Sequence, residues 1–177
     1  MSERALIVVD VQNDYFPGGV WALPDATRTL PNILRLIAKA RERGEAVVFI
    51  RHVAAENSPV FARGSKGTEL RPELNVRPDD AVMEKAHPSS FQDTPLAEWL
   101  AARKIKALDI CGYMTQMCCD TTTRAATERG FTVRLFSDAV CAKDMEFQGE
   151  VIPHHVVHKT HLATLSRFAK VLTTNEQ

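Results

Sequence analysis

Two cysteines stand side by side in "LDICGYMTQMCCDTTTRAATERGF", residues 108–131, where an apolar run gives way to a helix-like stretch. A thiol at a helix start is a candidate nucleophile, because the helix N-terminus and a nearby ammonium favour the thiolate and lower a thiol pKa from about 8.5 by several units. Such a thiol needs a group to take its proton. Two residues of suitable type lie far off in the sequence, Asp10 in "VVDVQNDYF" and Lys85 in "VMEKAHPSSF". A carboxylate can accept the thiol proton and return it to a departing nitrogen, while an ammonium holds the arrangement electrostatically. Each residue also has an ordinary reading, Asp10 as a turn residue, Lys85 as half of an ion pair and either cysteine as a small buried hydrophobe. Consecutive helical residues point about 100° apart, so only one of Cys118 and Cys119 can face the same partners. His87, two residues past Lys85, is a second candidate base, though no papain or caspase signature surrounds the cysteines.

The elements that would bring these residues together read as alternating strands and helices. Near-continuous apolar runs at 5–9, 46–50, 80–84, 107–111, 132–136 and 170–173 have the composition of parallel strands buried on both faces. Helical spacing appears between them in Leu30, Ile33, Leu34 and Ile37, in Leu96, Trp99 and Leu100, in Thr122, Ala125 and Ala126, and in Val157, His161 and Leu165. "ARERGEAVVFI" and "ATERGFTVRLF" each end a helix at a glycine, Gly44 or Gly130, suited to the left-handed cap conformation. This order predicts an α/β fold, a three-layer, doubly wound, mostly parallel six-stranded sheet with helices on both faces, as one domain over residues 1–177. Ligands of such sheets bind beyond the carboxyl ends of the strands, where the strand order reverses. Asp10, Lys85 and Cys118 all follow strands and so converge on that edge. Residues 52–79 form a long connection whose "RGSKGTELRPEL" lacks the spacing of a phosphate loop and reads as a mobile surface loop.

Composition narrows the partners. The 177 residues are 45% hydrophobic and carry 22 basic against 22 acidic residues without a block of like charge. That balance gives no electrostatic support for a nucleic-acid or membrane partner and leaves a small-molecule substrate. No apolar stretch approaches the roughly 20 residues of a membrane helix, and the opening "MSERALIVVD" lacks signal-peptide order, so a cytoplasmic location is expected. Four cysteines without zinc spacing are then free thiols.

"DVQNDYF", the lysine in "EKAHPSSF" and "GYMTQMCCDTTTRAATERGFTVRLFSDA" together resemble the isochorismatase-like cysteine hydrolases, which include nicotinamidases and other amide and carbamoyl hydrolases. The resemblance runs from the first strand to "FAKVLTT". It implies a catalytic triad of Asp10, Lys85 and Cys118, with Cys118 rather than Cys119 at the nucleophile's place. It further implies a cis bond between Tyr113 and Met114 and a homo-oligomer, dimer or tetramer; backbone N–H groups of Met114 and Cys118 would face the carbonyl oxygen as it gains charge and form an oxyanion hole. The implied reaction is hydrolysis of an amide, ureide or carbamoyl C–N bond through a thioester.

Gln12, Phe16, Phe91 and Tyr113 are candidate lining residues of the substrate pocket, with Trp21 and Phe61 nearby in loops. No metal or other cofactor is expected. Metal-dependent nicotinamidases carry an Asp-x-His and a further His after the second strand, whereas this chain has His52 within "IRHVAAENSPVF". His154, His158 and His161 share a helical face, but no carboxylate is interleaved at ligand spacing and the resemblance puts their helix away from the catalytic edge. Two other classes of function fit the same residues: a redox or thiol-sensing pair at Cys118 and Cys119, and a non-catalytic binding protein on the same fold.

Overall fold

The structure is a computed structural model and describes residues 2–177. Its main sheet has six parallel strands: β1 (Arg4–Val9), β2 (Ala46–His52), β3 (Ala81–Lys85), β4 (Ala107–Tyr113), β5 (Thr132–Cys141) and, last in the chain, β8 (Lys170–Leu172). Their spatial order is β3-β2-β1-β4-β5-β8, so the winding reverses between β1 and β4. The helices are α1 (Ala26–Glu42), α2 (Leu96–Ala102), α3 (Asp120–Glu128) and α4 (His154–Leu165). Among the described residues, no helix is long and apolar enough to cross a membrane.

The continuous apolar runs follow from burial on both faces. On β1, Leu6 and Val8 enter one core layer with Ile33, Leu36 and Ile37 of α1, while Ala5, Ile7 and Val9 enter the other with Leu96 and Leu100 of α2 and Leu165 of α4. Each fully buried Leu or Ile side chain contributes roughly 1.5–3 kcal/mol, so both layers are needed to hold the central strands. Gly44 and Gly130 have positive φ, 65° and 84°, as their cap role requires.

Two elements depart from the sequence reading. β5 continues to Cys141, five residues beyond the apolar run, and shifts register against β4 between Ile110 and Gly112. A short antiparallel hairpin, β6 (Met145–Phe147) and β7 (Glu150–Ile152), follows it and is exposed along its whole length. The connection after β2 is not a free loop. Asn13 Nδ2 donates to the Lys66 carbonyl at 2.8 Å, the Arg71 N–H donates to the Val11 carbonyl at 2.9 Å, and the Phe61 N–H donates to Asp14 Oδ2 at 2.7 Å.

Candidate active site

Asp10, Lys85 and Cys118 meet at the carboxyl edge, around the reversal point between β1 and β4. Asp10 is the first residue after β1 and adopts φ 51°, a left-handed conformation that Asp tolerates better than most side chains. Its backbone N–H donates to the Ile50 carbonyl at 3.0 Å, which fixes the turn against β2. Lys85 ends β3 and lies opposite His52 in the β2–β3 register. Cys118 sits in a π-helical turn, Thr115–Cys119, joining β4 to α3. The turn is built on the carbonyl of Met114, which accepts from the N–H groups of Met117 at 3.2 Å and Cys119 at 3.1 Å. The Tyr113–Met114 bond is cis, in agreement with the resemblance. Gly112 just before it has φ 118°, and a Cβ there would stand 2.0 Å from the Val9 carbonyl oxygen, so only glycine lets β4 pass β1 at this point.

The three side chains form a closed cluster, with Asp10 0%, Lys85 3% and Cys118 6% exposed. Lys85 Nζ is its hub. It lies 2.7 Å from Asp10 Oδ2 and 3.2 Å from Cys118 Sγ, with the His87 carbonyl and His52 Nδ1 each at 3.1 Å. Neither oxygen of Asp10 receives a hydrogen bond of good geometry among the described residues; Oδ2 has the Lys85 ammonium beside it as an ion pair, and Oδ1 is open. A buried carboxylate oxygen without a partner is costly in a structural role and is the acceptor a proton-transfer site requires.

Electrostatics correct one expectation from the sequence. Burial pushes the Cys118 thiol well above its ordinary range, Asp10 adds to this, and Lys85 only partly offsets them, which favours the thiol over a preformed thiolate. Burial pulls the Lys85 ammonium down, but Asp10 and Cys118 outweigh it and leave Lys85 raised and charged. Burial and then Lys85 lower His52, which stays neutral.

The other sequence candidates fall in several places. Cys119 is fully buried in the core, and Cys111 and Cys141 are buried thiols as well. His87 pairs its ring with Asp93 at 3.2 Å, half-exposed, and offers Lys85 its carbonyl. Gln12 is a strut: its amide donates to the His52 and Thr68 carbonyls, both at 2.8 Å, and accepts from the His52 N–H at 2.8 Å. Tyr113 is likewise committed, its hydroxyl bonding Thr29 Oγ1 at 3.0 Å and the Ala26 carbonyl at 2.9 Å. Phe16 packs on the Tyr113 ring beneath Arg71. Phe91 stacks instead on Phe131, just before β5 begins, and lies under Arg129. Trp21 and Phe61 pack around Tyr15. A cleft of about 300 Å³ bordered by Ala46, Arg77, Arg103 and Ile105 opens near the amino ends of β2 and β4 and includes no triad residue.

The histidines of α4 do not converge. His154 pairs with Asp144 at 2.8 Å, His161 lies 3.7 Å from Asp120, and His158 Nδ1 bonds Thr115 Oγ1 at 2.9 Å. The last contact places α4 against the turn that carries Cys118, closer to the edge where Asp10, Lys85 and Cys118 meet than the resemblance implied. Asp10, His52 and Cys118 each bring a ligand-type atom within 4.8 Å of the others. Lys85 Nζ touches all three, however, and its ammonium fills the place and supplies the positive charge that a cation would bring. These residues do not fit a metal.

The fold and its sequence have close parallels among known proteins. The crystal structure of a protein from Burkholderia xenovorans LB400 assigned to the isochorismatases superposes with a TM-score of 0.93 at 40% identity, over 98% of this chain and 85% of that one. The uncharacterized isochorismatase family protein YddQ of Bacillus subtilis is 32% identical over 172 residues, 96% of each chain. The nicotinamidase of Escherichia coli is 28% identical over 78% of this chain and 83% of its own. The model of the isochorismatase domain matches residues 4–176, from the first residue of β1 to the end of the chain's last turn. With the doubly wound sheet and the edge on which its motifs meet, that match makes this chain a member of the isochorismatase family of hydrolases.

Proposed function

We propose that this protein hydrolyses the C–N bond of a small amide, ureide or carbamoyl compound through a thioester on Cys118. The observation that carries the reading is the open Oδ1 of fully buried Asp10, set within the same cluster as the Cys118 thiol and bridged to it by Lys85. Substrate binding brings a carbonyl carbon to Sγ. The thiol proton passes to Asp10 Oδ1 as sulfur attacks, and Lys85 stabilises the thiolate as it forms. Backbone N–H groups of Met114 and Cys118 receive the carbonyl oxygen as it gains charge, a contribution of roughly 3 kcal/mol per donor in comparable sites. Asp10 then delivers its proton to the leaving nitrogen, the C–N bond breaks and a thioester remains. Water, deprotonated by the same carboxylate, attacks the thioester, and the proton returns to sulfur. The nicotinamidase relative, whose name states an amide substrate, supports this bond class.

The test is a panel of primary amides, ureides and carbamoyl compounds scored for ammonia release, with the native enzyme and Cys118→Ala in parallel. Turnover by the native enzyme alone, together with a substrate-derived adduct mapped to Cys118, is the expected result. An adduct on Cys119, or turnover retained by Cys118→Ala, overturns the assignment.

A further inference from the structure

Lys85 has more acceptors than protons. An ammonium carries three N–H groups, yet four acceptor atoms stand within 3.2 Å of Nζ: Asp10 Oδ2, His52 Nδ1, the His87 carbonyl and Cys118 Sγ. The contacts to His52, His87 and Cys118 have hydrogen-bond geometry and Asp10 Oδ2 is held as an ion pair, so any N–H that turns to the carboxylate leaves one of the other three. Sulfur of a neutral thiol is the weakest acceptor of the four, whereas a neutral imidazole nitrogen is a strong one. His52 is also held firmly for this purpose. Gln12 clamps both its backbone N–H and its carbonyl, and its ring packs on Phe61 at a centroid distance of 5.6 Å.

We propose that His52 is a positioning residue that competes with Cys118 for one proton of Lys85 and thereby holds the nucleophile in its thiol form until substrate is bound. At rest, the Asp10 carboxylate claims one N–H of Lys85, and the His87 carbonyl and His52 Nδ1 hold the other two against the weaker sulfur acceptor. On activation the thiol proton moves from Sγ to Oδ1. The Lys85 ammonium turns, and the N–H that pointed at His52 points at the new thiolate. Only one proton changes owner, and the total charge of the cluster is unchanged. His52 thus raises the cost of forming the thiolate in the empty site. The raised thiol and the neutral imidazole agree with this division. The titratable groups facing His52 are Lys85, Asp10 and His87, and those facing Cys118 are Asp10 and Lys85, with Tyr15 and Cys119 behind it.

The inference rests on Cys118 as the nucleophile, but its test reads thiol ionisation and needs no substrate. Failure here leaves amide hydrolysis standing, and absence of amide turnover leaves this competition standing. The rate of iodoacetamide labelling at Cys118, located by tandem mass mapping, is followed against pH for the native protein, His52→Leu and His52→Asn. Leucine fills the site without an acceptor, whereas the asparagine oxygen takes nearly the place of Nδ1. The expected result is a lower ionisation midpoint for His52→Leu, with labelling about tenfold faster at neutral pH, and a midpoint near the native one for His52→Asn. A uniform rise in rate at every pH, which reports access alone, overturns the proposal. So does an unchanged or raised midpoint in His52→Leu, or an equal shift in His52→Asn. His52→Phe replaces the leucine variant if the latter does not fold.

Discussion

Asp10 and Asp109 are carboxylates on neighbouring strands of one sheet, both almost without exposed surface, at 0% and 1%. Their surroundings are opposite. Asp109, toward the amino end of β4, accepts from Arg4 Nη1 at 2.6 Å, from Arg134 Nε at 2.7 Å and from Arg134 Nη2 at 2.5 Å, with Gln177 Nε2 at 3.4 Å. Both of its oxygens are occupied. Asp10, at the carboxyl end of β1, has one ammonium beside Oδ2 and nothing on Oδ1. Burial alone therefore does not separate a structural carboxylate from a reactive one. The two differ in saturation, and in the proposed mechanism a buried acceptor left open is a stability cost that chemistry can use.

Exchanging the charge at each position sharpens the contrast, and the larger effect is expected at Asp10. Asp10→Asn keeps the side-chain shape but removes the proton acceptor, so kcat should fall by roughly 10²–10⁴ while the circular dichroism spectrum is kept. Undiminished turnover in this variant breaks the comparison outright. Asp109→Asn leaves two guanidiniums facing a neutral amide with a single acceptor oxygen. It should cost about 3 kcal/mol in urea unfolding, with turnover per folded molecule unchanged. A loss of kcat in Asp109→Asn would show that the amino-terminal cluster reaches the chemistry, and the two carboxylates would then not be separable roles.

The sequence made Asp10 visible and hid Asp109. Asp10, Lys85 and Cys118 stand where apolar runs end, so strand ends alone gather them, and the helix spacings placed α1 to α4. Asp109 lies inside an apolar run, and its partners are 105 and 25 residues away, a distance at which no local pattern links them. The same limit hid His52, a lone histidine at a strand end whose role depends on the β2–β3 register. It also hid the raised thiol, since burial of Cys118 is supplied by the whole fold and not by its own helix. The β6–β7 hairpin leaves no buried apolar run in the sequence. Its three-residue strands are exposed, joined at Gln148 and Gly149, both of which take positive φ.

The smallest expected effect lies within the saturated cluster, between its two arginines. Exposure does not distinguish them, because the Arg4 and Arg134 side chains are 23% and 20% exposed. Geometry does: Arg134 reaches both oxygens of Asp109 through Nε and Nη2, whereas Arg4 gives a single bond through Nη1. A two-pronged guanidinium contact holds its carboxylate in orientation as well as in charge. Arg134 also pairs next to Asp109 in the β4–β5 register, so its loss disturbs the sheet where Arg4, in the first residue of β1, loosens only an end. Arg134→Met should therefore destabilise by about 3 kcal/mol and Arg4→Met by about 1 kcal/mol in urea unfolding, with neither changing turnover per folded molecule. Equal losses in the two variants would mean that total charge, and not the filling of each oxygen, keeps Asp109 in place. The distinction drawn from Asp10's open oxygen would then lose its structural counterpart.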